Sequence, residues 1–436
     1  MSRTPGLAVL LCLISVTAIS QTHYTPSAQE IETIYPALQA TYIDLHEHPE
    51  LSFHEVETAR KMADGLRKLG FDVTSGVGGT GVVGVLKNGN GPTVLIRTDM
   101  DALPVPERTG LPYASKVMVK DDTGHDVPVM HACGHDFHMT SWLGTATLLS
   151  QNKNRWRGTV VMIGQPAEER VAGAAAMLKD GLFTRFPKPN YAIAIHDSAE
   201  FPAGSVSVIP GFTAANADSV DITVFGRGGH GAHPEKSVDP IVLAARIILS
   251  LQTIVSRETN PLDPAVVTVG SIHGGTKGNI IPDEVKLELT IRSYKDDVRA
   301  HTIEAIQRIC KAEAMAAGAQ KEPLVAVKET VHATYNDPQL AGRLITALKK
   351  SLGDDRVLKG DPIMGAEDFS EFGRAGIPSV IFWIGATDPQ KLAQSKQSGV
   401  PVPGTHSSLF APSLPDSLKT AIRAESTAAF ELLAQP

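Results

Sequence analysis

Apolar positions along the chain first recur at helical spacing, then gather into short unbroken runs, then return to helical spacing. Residues 27–48 read as a helix. "HEVETARKMADGLRKLG" places Val56, Ala59/Arg60, Ala63 and Leu66 along one helical face and closes on Gly70. Unbroken runs follow: "GVVGVL", "TVLIRT", "TVVMIG", "YAIAIH" and "SVSVI", with helical segments at 136–151 and 173–183 between some of them. Apolar strands alternating with helices predict an α/β sheet covered on both faces. In such sheets the chemistry sits in loops at the carboxyl ends of the strands.

The pattern changes between residues 213 and 331. "SVDITVFG" reads as a strand, and "DPIVLAARIILSLQTIVS" as a helix with Ile241, Ala244/Ala245, Ile248, Leu251/Gln252 and Val255 on one face. "AVVTVGSI" and "VKLELTIRS" are strands joined by a Gly/Pro-rich loop; a helix over 296–318 and the strand "LVAVKETV" complete a βαββαβ order, the ferredoxin-like pattern. A helix at 337–352, the strand "SVIFWIG" and a helix at 413–433 then resume the earlier style. The expected organisation is a discontinuous domain over 21–212 and 332–436, interrupted by a smaller one over 213–331.

At 436 residues, with 42% hydrophobic and 20% charged positions, the chain has room for two substantial cores. A net charge of −7 and no dense Lys/Arg block argue against nucleic acid as a partner. No apolar run in the body of the chain reads as long enough to span a membrane, so no membrane partner is expected. Residues 1–20 are distinct. Arg3, an apolar run from Leu7 to Ala18 and small residues near Ser20 form a secretory signal pattern, which implies an exported protein, periplasmic or secreted; a buried N-terminal helix is the competing reading. Cleavage there removes Cys12 and leaves Cys133 and Cys310. Cys310 lies in a helical run and Cys133 in "MHACGHDFHMT", so a metal holding Cys133 as thiolate is one way to protect it.

Three apolar strands end in chemistry-bearing side chains: Arg97, Asp99 and Asp101; Glu168 and Glu169; His196 and Asp197. Such ends are costly to bury unless paired or bound to cations. Adjacent carboxylates repel, and a cation on one leaves the other free to accept a proton from an attacking water. Cys-x-His with a distant His and Glu supplies soft and borderline ligands suited to a catalytic site that gathers them from several strands. A solvated acidic turn and a cysteine nucleophile served by His135 are the competing readings; the latter needs a base that is a neighbour in space rather than in sequence.

In "RTDMDALPVPE", "MHACGHDFHMT", "GQPAEE", "AIAIHD", "GRGGHGAHPEKSVDPI", "GGTKGNIIPDEV", "MGAEDFSEF" and "GTHSSLFAP" the chain resembles the metal-dependent aminoacylase/carboxypeptidase family, in its hippurate hydrolase and auxin-conjugate hydrolase branch. The motifs run in order over nearly the whole chain beyond residue 20. The resemblance implies a mixed-sheet catalytic domain with two divalent metal ions per subunit (zinc, manganese or cobalt) and an inserted lid or dimerisation domain. It implies Cys133, His135, Glu169, His196 and His406 as metal ligands, with Cys133 bridging, and Glu168 as general base. His131, Asp136 and His138 match no ligand position and are expected to support the ligands. His230 matches a histidine that reaches into the partner subunit's site to stabilise an oxyanion, and Asn279 and Arg292 match substrate positions. His233 competes with His230, and Arg292 equally suits a strand-end salt bridge. Many relatives outside this branch carry His-x-Asp where this chain has Arg97-Thr98-Asp99, and Arg97 cannot ligate.

The expected activity is hydrolysis of the amide bond of N-acyl amino acids or C-terminal peptide bonds, by a homodimer acting on small substrates. The competing readings are a metallo-dipeptidase or aminopeptidase, a secreted binding protein without catalysis, and a structural zinc protein.

Overall fold

The computed structural model describes residues 24–434. The signal pattern at 1–20 lies outside them. Along the chain the first elements are α1 (Ala28–Glu47), α2 (Val56–Lys68), β1 (Asp72–Val77), β2 (Gly81–Asn88), β3 (Thr93–Asp99) and α3 (His135–Gln151). Then come β4 (Gly158–Gln165), α4 (Gly173–Lys179), α5 (Leu182–Arg185), β5 (Tyr191–Pro202) and β6 (Val206–Ser207). The insert contributes β7 (Asn216–Phe225), α6 (Pro240–Thr253), β8 (Ala265–His273), β9 (Glu284–Ser293), α7 (Asp296–Ala316) and β10 (Leu324–Val331). The chain closes with α8 (Pro338–Leu352), β11 (Val357–Leu358), α9 (Ser370–Arg374), β12 (Ser379–Thr387), α10 (Pro389–Ser398) and α11 (Asp416–Leu432).

The larger sheet has eight strands in the order β1-β2-β4-β3-β5-β12-β6-β11. β4, β3, β5 and β12 are parallel neighbours, so their carboxyl ends lie side by side. Their residues alternate between two cores, as a pleated strand requires. Val94, Ile96, Val160, Met162, Ile193, Ile195, Val380 and Phe382 face the core built with α1, α2, α3, α8 and α11. Leu95, Val161, Ile163, Ala192, Ala194 and Ile381 face the opposite core with Met177, Leu182, Phe369 and Phe372. Continuous apolar strands thus follow from burial on both faces. Helix α3 is buried almost all round, with Trp142 Nε1 donating to the Ile96 carbonyl at 3.0 Å, and its amino end stands at the carboxyl ends of the central strands.

The insert is an antiparallel sheet in the order β8-β9-β7-β10 with α6 and α7 packed on one face, the ferredoxin-like arrangement.

Several expectations are corrected. Val56 opens α2 but is 62% exposed; the buried face runs through Thr58, Ala59, Met62, Ala63 and Leu66. In α6 the core face is Leu243, Ala244, Ile247 and Leu251, while Ile241 and Val255 are exposed. That helix is apolar on both sides, so periodicity alone could not choose the buried one. With its continuation it runs Pro240–Glu258 and is long and apolar enough to cross a membrane by length and composition; in this fold its core face packs on the insert's sheet. The segment 173–183 breaks into α4 and α5 around Gly181, which has φ +87°. Of "SVSVI" only Val206–Ser207 pairs as a strand.

One buried contact joins α1 to α3. His46 lies 2.6 Å from the Asp136 carboxylate and 3.0 Å from that of Glu107. Burial pulls the imidazole pKa down, but hydrogen bonds and charge from Asp136 and Glu107 outweigh it and hold the value at about 10, against 6.5 when free. The folded value is the higher one, so this stabilisation is complete below about pH 6.5 and is lost as pH rises through about 10. His46→Gln should destabilise the protein by about 3 kcal/mol near pH 6. Urea unfolding of both proteins should show the difference narrowing between pH 6.5 and 10; a constant difference would contradict the charge assignment.

Candidate active site

β3, β4 and β5 deliver their terminal side chains to one place because they are parallel and adjacent. Beyond β3 lies Asp101, beyond β4 lie Glu168 and Glu169, and within β5 lie His196 and Asp197. Cys133 precedes α3, and His135 and His138 occupy its first turn. Gly134 between them has φ +76°, and a Cβ there would sit 2.3 Å from the Asp197 carboxylate, so only glycine fits. His406 arrives on a loop whose backbone N–H donates to the Ala132 carbonyl at 2.7 Å, with φ +67°.

The five residues expected to ligate metal come together. The ligating atoms of Cys133, His135 and His196 lie within 4.8 Å of one another, as do those of Cys133, Glu169 and His406. Cys133 belongs to both groups. Its Sγ is 3.6 Å from His196 Nε2, and His406 Nε2 is 3.4 Å from Glu169 Oε2. His135 Nε2 stands 3.8 Å from Glu169 and 3.9 Å from Glu168.

Hydrogen bonds set the tautomers. His135 Nδ1 is 2.7 Å from the Asp101 carbonyl, and His196 Nδ1 is 2.7 Å from the Asp197 carbonyl. A carbonyl only accepts, so each Nδ1 carries a proton, and Nε2 is the nitrogen each ring would turn to a cation. His135 Nε2 and Glu169 Oε1 are buried with no hydrogen-bond partner among the described residues. Buried orphan donors of this kind fit a bound cation. The chemistry of the set fits as well: burial first, then the charge of Glu169, push the Cys133 thiol well up, so its thiolate needs positive charge beside it.

Glu168 is buried, and burial first, then the charges of Glu367, Glu169 and Asp368, push its carboxyl well above the usual range. It can therefore take up and retain a proton. Its backbone is held from below: the N–H groups of Glu168 and Glu169 donate to the two oxygens of Asp101 at 3.1 and 3.0 Å. Ser52 Oγ donates to the same carboxylate at 2.6 Å. Ala167, with φ +49°, donates to Glu55 at 2.9 Å.

His138 is engaged at both ring nitrogens, Nδ1 with Asp99 at 2.7 Å and Nε2 with the Asp197 N–H at 3.0 Å. Asp136 is tied to His46. His131 is buried with neither ring nitrogen hydrogen-bonded among the described residues. Arg97 is fully buried and binds Gln165, Asp99, Glu367 and Asp368.

A cavity of about 550 Å³ opens onto this cluster. Cys133, Glu168, Glu169, His196 and His406 line it, Arg292 lines it from β9, and Phe201, Ile209, Met364 and Trp383 supply apolar wall. Arg292 is half-buried and has no carboxylate partner among the described residues, so the salt-bridge alternative is not what is observed. His230 and Asn279 are elsewhere. His230 lies in a short ribbon, Gly229–His230 paired with Ile280–Ile281, and Asn279 just precedes its second strand, accepting from the Gly231 N–H at 2.9 Å; both are exposed and outside the lining of this cavity.

Sequence reasoning did not assign Glu367, Asp101, Glu55 or Trp383. The two acids of "MGAEDF" ahead of the buried Phe369 carried the signal for Glu367; the others depend on contacts between distant segments.

The family model for peptidase family M20/M25/M40 matches residues 95–402, and the chain belongs to that family. It is 38% identical to thermostable carboxypeptidase 1 of Saccharolobus solfataricus over 80% of this chain and 85% of that one. It is 40% identical to the hippurate hydrolase of Campylobacter jejuni over 75% and 82%. Among solved structures it is similar to the YXEP protein of Bacillus subtilis, a dinuclear metal binding peptidase, at 30% identity and a TM-score of 0.72, covering 92% of this chain and 98% of that one. The chain is a metal-dependent hydrolase of this family.

The Asp101 carboxylate holds the backbone of two neighbouring carboxylates and stands 3.3 Å from His135 Nδ1. Asp101→Ala should lower metal retention or activity by about 10–100-fold. Metal content after dialysis and kcat measured on the same samples check this; a variant that keeps both would contradict the role.

Proposed function

We propose that the enzyme hydrolyses the amide bond of N-acyl amino acids or C-terminal peptide-like substrates and releases a free amino acid. The observation that carries this is one cavity holding both the Glu168 cluster and the unpaired Arg292 guanidinium. A planar fork of donors suits a carboxylate, and it lines the same cavity as Glu168. Relatives named as a carboxypeptidase and a hippurate hydrolase support the same reading.

Cys133, His135, Glu169, His196 and His406 would hold two divalent cations, zinc, manganese or cobalt. When bound, such ions acidify a water and polarise a carbonyl. Glu168 takes the proton from the attacking water and returns it to the leaving nitrogen. Its raised proton affinity suits the second step, in which it must carry that proton. Arg292 binds the free carboxylate and fixes the amide in line with Glu168.

His230 and Asn279 act, in this reading, in the site of a second subunit. Their exposure at a ribbon outside their own cavity supports this. His230 then stabilises the developing oxyanion, Asn279 contacts the substrate, and the enzyme works as a homodimer. Export through residues 1–20 rests on the charged, apolar and small-residue order of that segment.

The test is a panel of N-acyl amino acids and free dipeptides, assayed after the apo protein is reloaded separately with zinc, manganese and cobalt. N-acyl amino acids should be preferred, and amidating their carboxylate should raise KM; preference for free dipeptides would favour a dipeptidase. Glu168→Gln should retain metal and lose about 10²–10⁴-fold in kcat; full activity in a metal-loaded variant would remove Glu168 as the base. Mixing Glu168→Gln chains with His230→Ala chains should recover part of the activity, because one composite site then holds both intact residues. No recovery under conditions where subunits exchange would contradict the shared site.

A further inference from the structure

A second cavity, of about 490 Å³, shares no lining residue with the first. It lies between α1, the turn after β5, the segment leading into β11, and α11. The same stretch of chain walls both cavities: Glu200 and Phe201 line the first, and Pro202 to Ser205 the second.

The charges in this second cavity are incompletely matched. Lys419 pairs with Glu32 at 2.6 Å. Arg356 and Arg423 have no carboxylate partner among the described residues; the only side-chain bond of Arg423 is from Nε to Ser351 Oγ at 3.2 Å. Arg423 is half-buried, and its guanidinium is made less basic by burial and then by the charge of Arg356, as expected of neighbouring cations with no counter-ion. Asp355 and Asp416 line the same cavity and likewise have no ion-pair partner among the described residues. Ile31, Leu352, Leu358 and Pro202 make up apolar wall.

Two guanidinium groups in one cavity, that of the exposed Arg356 and the half-buried Arg423, suit an oxyanion. The two carboxylates oppose a simple anion but answer a cationic head. A ligand bearing both charges and an apolar tail satisfies every unmatched element of the lining. The geometry points to a binding site for a free α-amino acid with an apolar side chain, its carboxylate on Arg356 and Arg423 and its ammonium facing Asp416 and Asp355. This site lies outside the hydrolytic centre and does not depend on the reaction proposed for it.

Isothermal titration of the metal-loaded full chain with L-leucine tests the inference. Saturable binding should persist in Arg292→Ala and weaken about tenfold or more in the double variant Arg356→Ala/Arg423→Ala. L-leucine amide lacks the carboxylate and 4-methylpentanoate lacks the ammonium; each should bind about tenfold more weakly than L-leucine, as should inorganic phosphate. Asp416→Asn, a change at an exposed position that guards against misfolding of the double variant, should weaken L-leucine and leave 4-methylpentanoate unchanged. The proposal is overturned if all L-leucine binding disappears in Arg292→Ala, if the arginine and aspartate variants bind as the parent does, or if phosphate binds as tightly as L-leucine. Because the readout is binding, a failure to hydrolyse N-acyl amino acids would count against the proposed reaction and not against this site.

Discussion

Asp99, Asp101, Glu168, Glu169, Asp197, Glu367 and Asp368 crowd the carboxyl ends of three adjacent parallel strands, and all but Glu169 are buried. So much negative charge in a low-dielectric place is unstable unless positive charge meets it. Arg97 meets it from inside the sheet. Its guanidinium bonds Asp99, Glu367 and Asp368, and a buried arginine stays charged only because those carboxylates surround it. One arginine cannot balance the cluster, and the side facing the cavity is where ligand atoms of Cys133, His135, Glu169, His196 and His406 gather, with His135 Nε2 and Glu169 Oε1 left without a hydrogen-bond partner among the described residues. Protein charge on one side and cations held on the other would divide the same task. Glu168 is buried beside Glu367, Glu169 and Asp368, which is why its carboxyl has so high an affinity for a proton.

Such a cluster works only if the backbone carrying it is rigid. Ala167, Val171 and His406 all have positive φ, a conformation that costs non-glycine residues of order 1 kcal/mol each. Hydrogen bonds over-determine those positions: Glu55 takes the Ala167 N–H, Asp101 takes those of Glu168 and Glu169, and Ala132 takes that of His406. Asp101 is the centre of this frame, since it also receives Ser52 and stands beside His135. The strain at Ala167 turns the chain sharply after β4, so that Glu168 and Glu169 point into the cavity instead of continuing the strand.

The central strands were legible because burial on both faces leaves an unbroken apolar run, and the acids and histidines at their ends stood out against it. The βαββαβ insert was legible for the same reason. The core face of α6 was not, because Ile241, Val242, Leu249 and Val255 make its outer side apolar too. Metal-ligand positions could be named only through the ordered motifs, since Cys133 and His406 are 273 residues apart in the numbering and meet through a loop with a left-handed residue that no periodicity reveals. The ribbon that carries His230 and adjoins Asn279 has two residues per strand, too short to show a pattern. Asp101 was visible as a strand-end acid, but its role depends on backbone N–H groups 67 and 68 residues away.

The position of Arg292 gives the two folding units a joint role. It belongs to β9 of the insert, whereas Glu168 follows β4 of the large sheet, so the distance between these two side chains in the shared cavity is set by how the units are tied. Several bonds converge on that tie. The Ala215 N–H donates to the carbonyl of Gly365 at 2.8 Å, Tyr294 Oη donates to that of Ile363 at 3.1 Å, and Trp383 Nε1 donates to Thr213 Oγ1 at 3.0 Å. Trp383 in turn lies against the His196 ring, with centroids 5.2 Å apart. The segment from Ile363 to Glu367 thus joins the chain entering the insert to the buried carboxylate of Glu367, whose charge acts on Glu168. If Arg292 anchors a substrate carboxylate as proposed, substrate length would be read at the junction between the two units, by residues that touch no reacting atom.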